Sequence, residues 1–199
     1  SREVFAGAVN AGSLQQATSV VVDDDGSFTL GGNTGAGANV INSGDITVAS
    51  GNAVVLGQTI EQSGVIDAQA SQTQAAAAHS QGGSIELHSL DTTYLQEGSQ
   101  LLTNNEDGSA GTIKVLGNQV GVLAGAEINA NGTTNGGNIY IGGDYLGANP
   151  LIPNATATYF DADAIINANA TQTGKAGRVI LWGDDVLRAY GTVNAQGFG

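Results

Sequence analysis

The chain has 199 residues, of which 31 are glycine and only 5 % aromatic, with two prolines and neither cysteine nor methionine. Five basic residues against 18 acidic ones leave a net charge of -13, a balance that repels nucleic acid and anionic lipid. Zero cysteine excludes a disulfide scaffold, thiol chemistry and the usual zinc ligands, and no apolar run is long enough to span a membrane.

The 41 % of hydrophobic residues come in short stretches between Gly, Asn, Ser and Thr, which predicts short strands and tight turns rather than long helices. Taken in chain order, one phrase recurs: Val9-Asn10-Ala11, Ile41-Asn42-Ser43, Ile66-Asp67-Ala68, a weaker Leu101-Leu102-Thr103, Ile128-Asn129-Ala130, Ile166-Asn167-Ala168 and Val193-Asn194-Ala195. A second pattern alternates apolar and polar residues after a glycine: Ser84-Ile85-Glu86-Leu87 after Gly83, Thr112-Ile113-Lys114-Val115 after Gly111, Asn138-Ile139-Tyr140-Ile141 after Gly137, and Arg178-Val179-Ile180-Leu181 after Gly177. Such alternation buries one face of a strand. The shortest steps between copies of the first phrase cluster near about 26 residues, as in a solenoid. Residues 69–81 and 147–158 lengthen two of the steps and read as insertions; 74–79 holds the one hint of helical periodicity.

Together these signals predict an all-β parallel β-helix over 1–199, with about six or seven coils stacked at roughly 4.8 Å. In it Ile41, Ile66, Ile128, Ile166 and Val193 share one core slot, Asn129, Asn167 and Asn194 stack on one another, alanine fits a tight corner, and glycines supply turns with positive φ. The competing architecture is an antiparallel sandwich or barrel with hairpins at Asp25-Gly26, Asp107-Gly108 and Asn131-Gly132. The abrupt ends suggest a piece of a longer protein.

Residues 136–170 and 174–197, above all Gly142-Gly143-Asp144-Tyr145 and Ile180-Leu181-Trp182-Gly183-Asp184-Asp185, resemble the filamentous-haemagglutinin-like exoproteins of bacterial two-partner secretion. The resemblance implies a right-handed β-helix on an adhesin secreted to the surface of a Gram-negative bacterium. It also implies an outer-membrane β-barrel transporter as export partner, and a receptor on host cells, bacteria or extracellular glycan or protein. The Asn-Pro-Asn motifs of the family's secretion domain are missing, which points to rod downstream of that domain.

The alternative function is a β-helix that binds or cleaves carbohydrate. Its candidate residues are an aromatic platform of Trp182, Tyr145 and Tyr190, and a carboxylate pair, Asp161 with Asp163, which would share a face if their segment is a strand. With Val179 and Leu181 inward, Trp182 turns outward, either exposed or covered by 147–158. The run Asp23–Asp25 reads as a solvated turn, and His79 and His88 lack partners at ligand spacing. Neither a cofactor nor a metal is expected, and the insertions are the favoured place for a binding surface.

Overall fold

In the computed structural model, residues 39–70 and 81–198 are described in full, together with short strands at 9–10, 14–16, 19–22 and 28–31. Strands β1 (Val9–Asn10), β2 (Leu14–Gln16), β3 (Ser19–Val22), β4 (Phe28–Gly31), β5 (Asn39–Asn42) and β6 (Asp45–Thr47) precede the first complete coil. Each coil then uses three sides. The first coil is β7 (Asn52–Gln62), which bends to serve two sides, followed by β8 (Val65–Asp67); the second is β9 (Ser84–Leu95) and β10 (Gln100–Leu102). The remaining coils are β11 (Thr112–Leu116), β12 (Gln119–Val122) and β13 (Glu127–Asn129); then β14 (Asn138–Ile141), β15 (Ala157–Phe160) and β16 (Ile165–Asn167); then β17 (Arg178–Leu181), β18 (Val186–Ala189) and β19 (Thr192–Asn194). The result is five coils preceded by β4, β5 and β6, which add one parallel strand to each of the three sides and so make a sixth.

Every pairing between these coils is parallel. On the first side Ala53, Ile85, Ile113, Ile139 and Val179 share one rung position, and Val55, Leu87, Val115, Ile141 and Leu181 the next inward one. The second side stacks Ile60, Thr93, Val120, Thr158 and Leu187. The third stacks Ile46, Ile66, Leu101, Ile128, Ile166 and Val193. These inward columns fuse into one continuous core, which makes the molecule a parallel β-helix. An antiparallel sandwich or barrel is excluded for the stacked coils. Among the described residues, antiparallel strand pairing is found at the amino-terminal end, where β1 lies against β6, β2 against β5 and β3 against β4, and a single antiparallel bridge joins Gly174 to Phe198 at the other end. The acidic run at 23–25, the segment 74–79, His79 and most of the 69–81 insertion lie outside the described residues.

One member of the predicted column is misplaced. Ile41 pairs with Glu61 on the second side and is only half-buried, whereas Val40 and Asn42 beside it point inward. The slot belongs to Ile46, five residues later. Asn42 explains the shift: its amide donates to Gln62 Oε1 at 2.9 Å, and Gln62 donates to the Gly64 carbonyl at 2.9 Å. Turning Asn42 outward would leave Gln62 buried without that partner, at the cost of an unmade buried hydrogen bond.

Val9 lies opposite Ile46 in an antiparallel strand. Val193 keeps its register on the last coil but is exposed, with no coil beyond it among the described residues. The other copies, from Ile66 to Ile166, are buried as predicted. Asn194 Nδ2 donates to Asn167 Oδ1 at 2.8 Å, and Asn167 Nδ2 to Asn129 Oδ1 at 2.7 Å. A second ladder, two residues further on, runs from the Gln196 backbone N–H to Asn169 Oδ1, from the Asn169 N–H to Asn131 Oδ1, and from the Asn131 N–H to Asn104 Oδ1, all at 2.8–2.9 Å. Ala68, Ala130 and Ala168 are fully buried at the corner. The glycines that open the first-side strands serve close approach rather than positive φ. A Cβ on Gly111, Gly137 or Gly177 would strike the carbonyl oxygen of the glycine one coil earlier, at Gly83, Gly111 and Gly137 respectively. Positive φ is found elsewhere, for example at Gly98 and Gly125.

Candidate functional site

The corner between the first and second sides changes from coil to coil. In β7 and β9 the chain rounds it within one bent strand, and between β11 and β12 it needs only Gly117 and Asn118. Between β14 and β15 it carries residues 142–156. The insertion thus starts earlier than the repeat spacing suggests and stops before Ala157 and Thr158, which belong to β15.

The sequence Gly142-Gly143-Asp144 lets the chain leave the sheet. Gly142 has φ 75° and packs so closely on Thr158 and the Trp182 carbonyl that no side chain fits. Asp144 is then the anchor of the loop. Its Oδ1 accepts from the Tyr145 N–H at 2.6 Å and from Arg178 Nη2 at 3.2 Å, and its Oδ2 accepts from Asn149 Nδ2 at 2.9 Å. The Asn149 amide, then the Tyr145 N–H and the Arg178 guanidinium, hold its carboxyl below the usual carboxylate range against the opposing effect of burial. A single 3₁₀ turn, Tyr145–Gly147, follows. Within it Leu146 has φ 59°, the left-handed region that side chains other than glycine rarely enter.

The far end is clamped as well. Asn154 Nδ2 donates to the Gly147 carbonyl at 3.1 Å and to Asp184 Oδ1 at 3.2 Å, and Trp182 Nε1 donates to the same Asp184 oxygen at 2.7 Å. Trp182 is half-buried against Gly143 and Gly147, so the loop covers it. Val179 and Leu181, its neighbours in β17, pack against the core. Ile152 is buried beneath the loop, while Tyr145, Leu146 and Leu151 stand 61 %, 64 % and 86 % exposed. The braced loop therefore holds Tyr145, Leu146 and Leu151 exposed on a fixed frame.

Asp161, Asp163 and Tyr190 are at a different corner, between the second and third sides. Residues 161–164 form a tight turn rather than a strand. Asp161 Oδ1 accepts the Asp163 N–H at 3.1 Å and its Oδ2 accepts the Tyr159 hydroxyl at 2.8 Å. The Asp163 N–H, followed by the Tyr159 hydroxyl, lowers the Asp161 pKa, and the same hydroxyl bond raises that of Tyr159. The aspartates therefore do not present two free carboxylates on one strand face; Asp161 ties its corner together. Tyr190 meets Tyr159 edge to face, with ring centroids 6.1 Å apart. The five candidate residues thus fall into two groups, Trp182 with Tyr145 and Asp161 with Asp163 and Tyr190. Among the described residues, no group of three or more His, Asp or Glu could hold a metal ion.

Asp144 and Asp184 stand out in the sequence as part of the family resemblance; that they brace the insertion together with Asn149 and Asn154 is visible only in the structure. The signal for them is Gly142-Gly143 just before an aspartate, a chain exit followed by a cap.

No protein-family model matches the chain, and no curated protein matches it. Among solved structures it is similar to the HMW1 secretion domain from Haemophilus influenzae, at 30 % identity and a TM-score of 0.70 over 81 % of this chain. The chain spans 41 % of the length of that domain. The likeness supports a relationship to two-partner-secretion exoproteins, as residues 136–197 imply.

Proposed function

We propose that this chain is part of the β-helical body of a secreted bacterial exoprotein, exported through a dedicated outer-membrane β-barrel transporter, and that its 142–156 insertion is an adhesive tip for a protein receptor. The observation that carries the reading is the insertion itself, fixed at both ends yet exposing Tyr145, Leu146 and Leu151. A stack that buries its apolar residues in one core has no structural need for a side chain as exposed as Leu151. Ordering such a loop in advance lowers the entropy lost on binding.

The test is adhesion of purified protein to cells or matrix, compared with the Leu146→Ser/Leu151→Ser double variant. A loss of about tenfold is expected, about 1.4 kcal/mol for the two side chains together. Unchanged adhesion of the folded variant overturns the assignment of the tip.

The missing Asn-Pro-Asn motifs favour the exported body, whereas the likeness to the HMW1 secretion domain favours the element that the transporter recognises; we take the first as the reading to test. Co-expressed with a transporter, the isolated chain should stay inside the cell, and a fusion behind a complete secretion domain should appear in the medium. Export of the isolated chain would overturn that placement.

A further inference from the structure

A second surface lies away from the insertion, on the outward face of the second side. There the parallel register aligns Tyr94, Gly121, Tyr159 and Arg188 on consecutive coils. The ring of Tyr94 lies across Gly121: a Cβ built on that glycine would come within 2.7 and 2.9 Å of Tyr94 Cδ1 and Cε1. Glycine weakens a strand interior unless something needs its space, and here the tyrosine ring occupies it. Two rungs along the axis, at about 4.8 Å each, Tyr159 is held by its hydroxyl bond to Asp161 and by the edge of Tyr190. Tyr94, Tyr159 and Tyr190 remain 39 %, 37 % and 62 % exposed. The strip is therefore a row of ordered rings parallel to the rod axis, with the carboxylate of Asp161 and the guanidinium of Arg188 at its side.

We infer that this strip is a binding site for an uncharged, linear oligosaccharide lying along the rod. Tyrosine rings offer an apolar face to the C–H bonds of a pyranose and a hydroxyl to its polar rim. Asp161 and Arg188 supply an acceptor and a donor for sugar hydroxyls. A net charge of -13 disfavours anionic glycans and nucleic acid at long range. Charged groups, Asp161 and Arg188, stand within the strip, unlike the charge-depleted centre of a protein interface, and rings spaced along the axis suit a chain of sugar rings.

The experiment is titration calorimetry of the folded protein with neutral hexaoses of the cello, xylo, chito and malto series. At least one series should bind. Tyr94→Ala and Tyr159→Ala should each weaken that binding about tenfold, in the range of lost ring contacts. Gly121→Ala should weaken it by displacing the Tyr94 ring, while Leu146→Ser/Leu151→Ser should leave it unchanged. The latter variant separates this site from the adhesive tip. Absence of binding by all four series, or binding that survives the Tyr94→Ala/Tyr159→Ala double variant, overturns the inference. So does concentration-dependent self-association that Tyr159→Ala abolishes, because the strip would then be an interface between copies.

Discussion

At the scale of the residue, glycine does two separate jobs in this molecule. Gly111 has neighbours so close that its hydrogen is the only substituent that fits, whereas the space where a Cβ would sit on Gly98 is empty and its φ is 75°. Gly111→Ala should cost about 1–3 kcal/mol through overpacking between coils. Gly98→Ala should cost about 1–2 kcal/mol through backbone strain alone, and Gly98→Asn much less, because asparagine tolerates the left-handed region. Urea unfolding of the three variants checks the difference. The sequence marks both as turn glycines, since composition cannot show that a carbonyl of another coil lies against one of them.

Asp144 gives a pH prediction at the same scale. Its folded pKa lies below the ordinary 3.8, so between the two values the unfolded chain binds a proton that the folded one does not. Its contribution to stability is complete above the ordinary value and is lost as pH falls through it toward the folded pKa. Asp144→Asn should therefore flatten the acid limb of the stability curve. An acid limb unchanged in thermal scans from pH 6 to pH 3 would show that the carboxylate anchors nothing.

At the scale of the element, the first-side strands and the third-side phrase are legible because their inward residues are uniformly aliphatic and follow a glycine or precede an alanine. The second side is not. Its inward column mixes Ile60, Thr93, Val120 and Thr158, and the two threonines turn hydroxyls to the Leu116 and Trp182 carbonyls at the corner. No shared phrase survives that variety, so β12, β15 and β18 left no common sequence signal. The candidate site suffered for the same reason: without the second side, Tyr190 and Trp182 could not be assigned to separate corners, and the row from Tyr94 to Arg188 could not be seen.

The exchange of Ile41 for Ile46 is an error of the same order. Both isoleucines precede a short polar residue, and only the buried amide pair Asn42–Gln62 decides which one turns inward. Ile46→Ala should cost about 2–5 kcal/mol as a core cavity, and Ile41→Ala under about 1 kcal/mol as a partly exposed position. Equal losses in denaturant titrations would refute the register.

At the scale of the whole molecule, each coil touches mainly the coils on either side, so stability is a sum of coil and interface contributions. The amino-terminal coils are covered by antiparallel strands. At the opposite end Val186, Leu187 and Val193 of β18 and β19 are exposed. Hydrogen exchange of this 199-residue chain should thus be graded, with β18 and β19 amides exchanging fastest and those of β9 and β11 slowest. Uniform protection from end to end would contradict the additive picture.

The two asparagine ladders share one further property, a direction. In each, the later coil donates and the earlier coil accepts: Asn194 to Asn167, Asn167 to Asn129, and the backbone N–H of Gln196, Asn169 and Asn131 to the side-chain oxygen one coil before. A finished coil consequently offers a row of side-chain acceptors to the one that follows, while its backbone N–H groups, those of Ala130, Gly132 and Ala168 among them, point forward to the carbonyls of Asn167, Asn169 and Asn194. Each new coil therefore meets both side-chain acceptors and backbone donors already in place, so the ladders tie every coil to its neighbours on both sides.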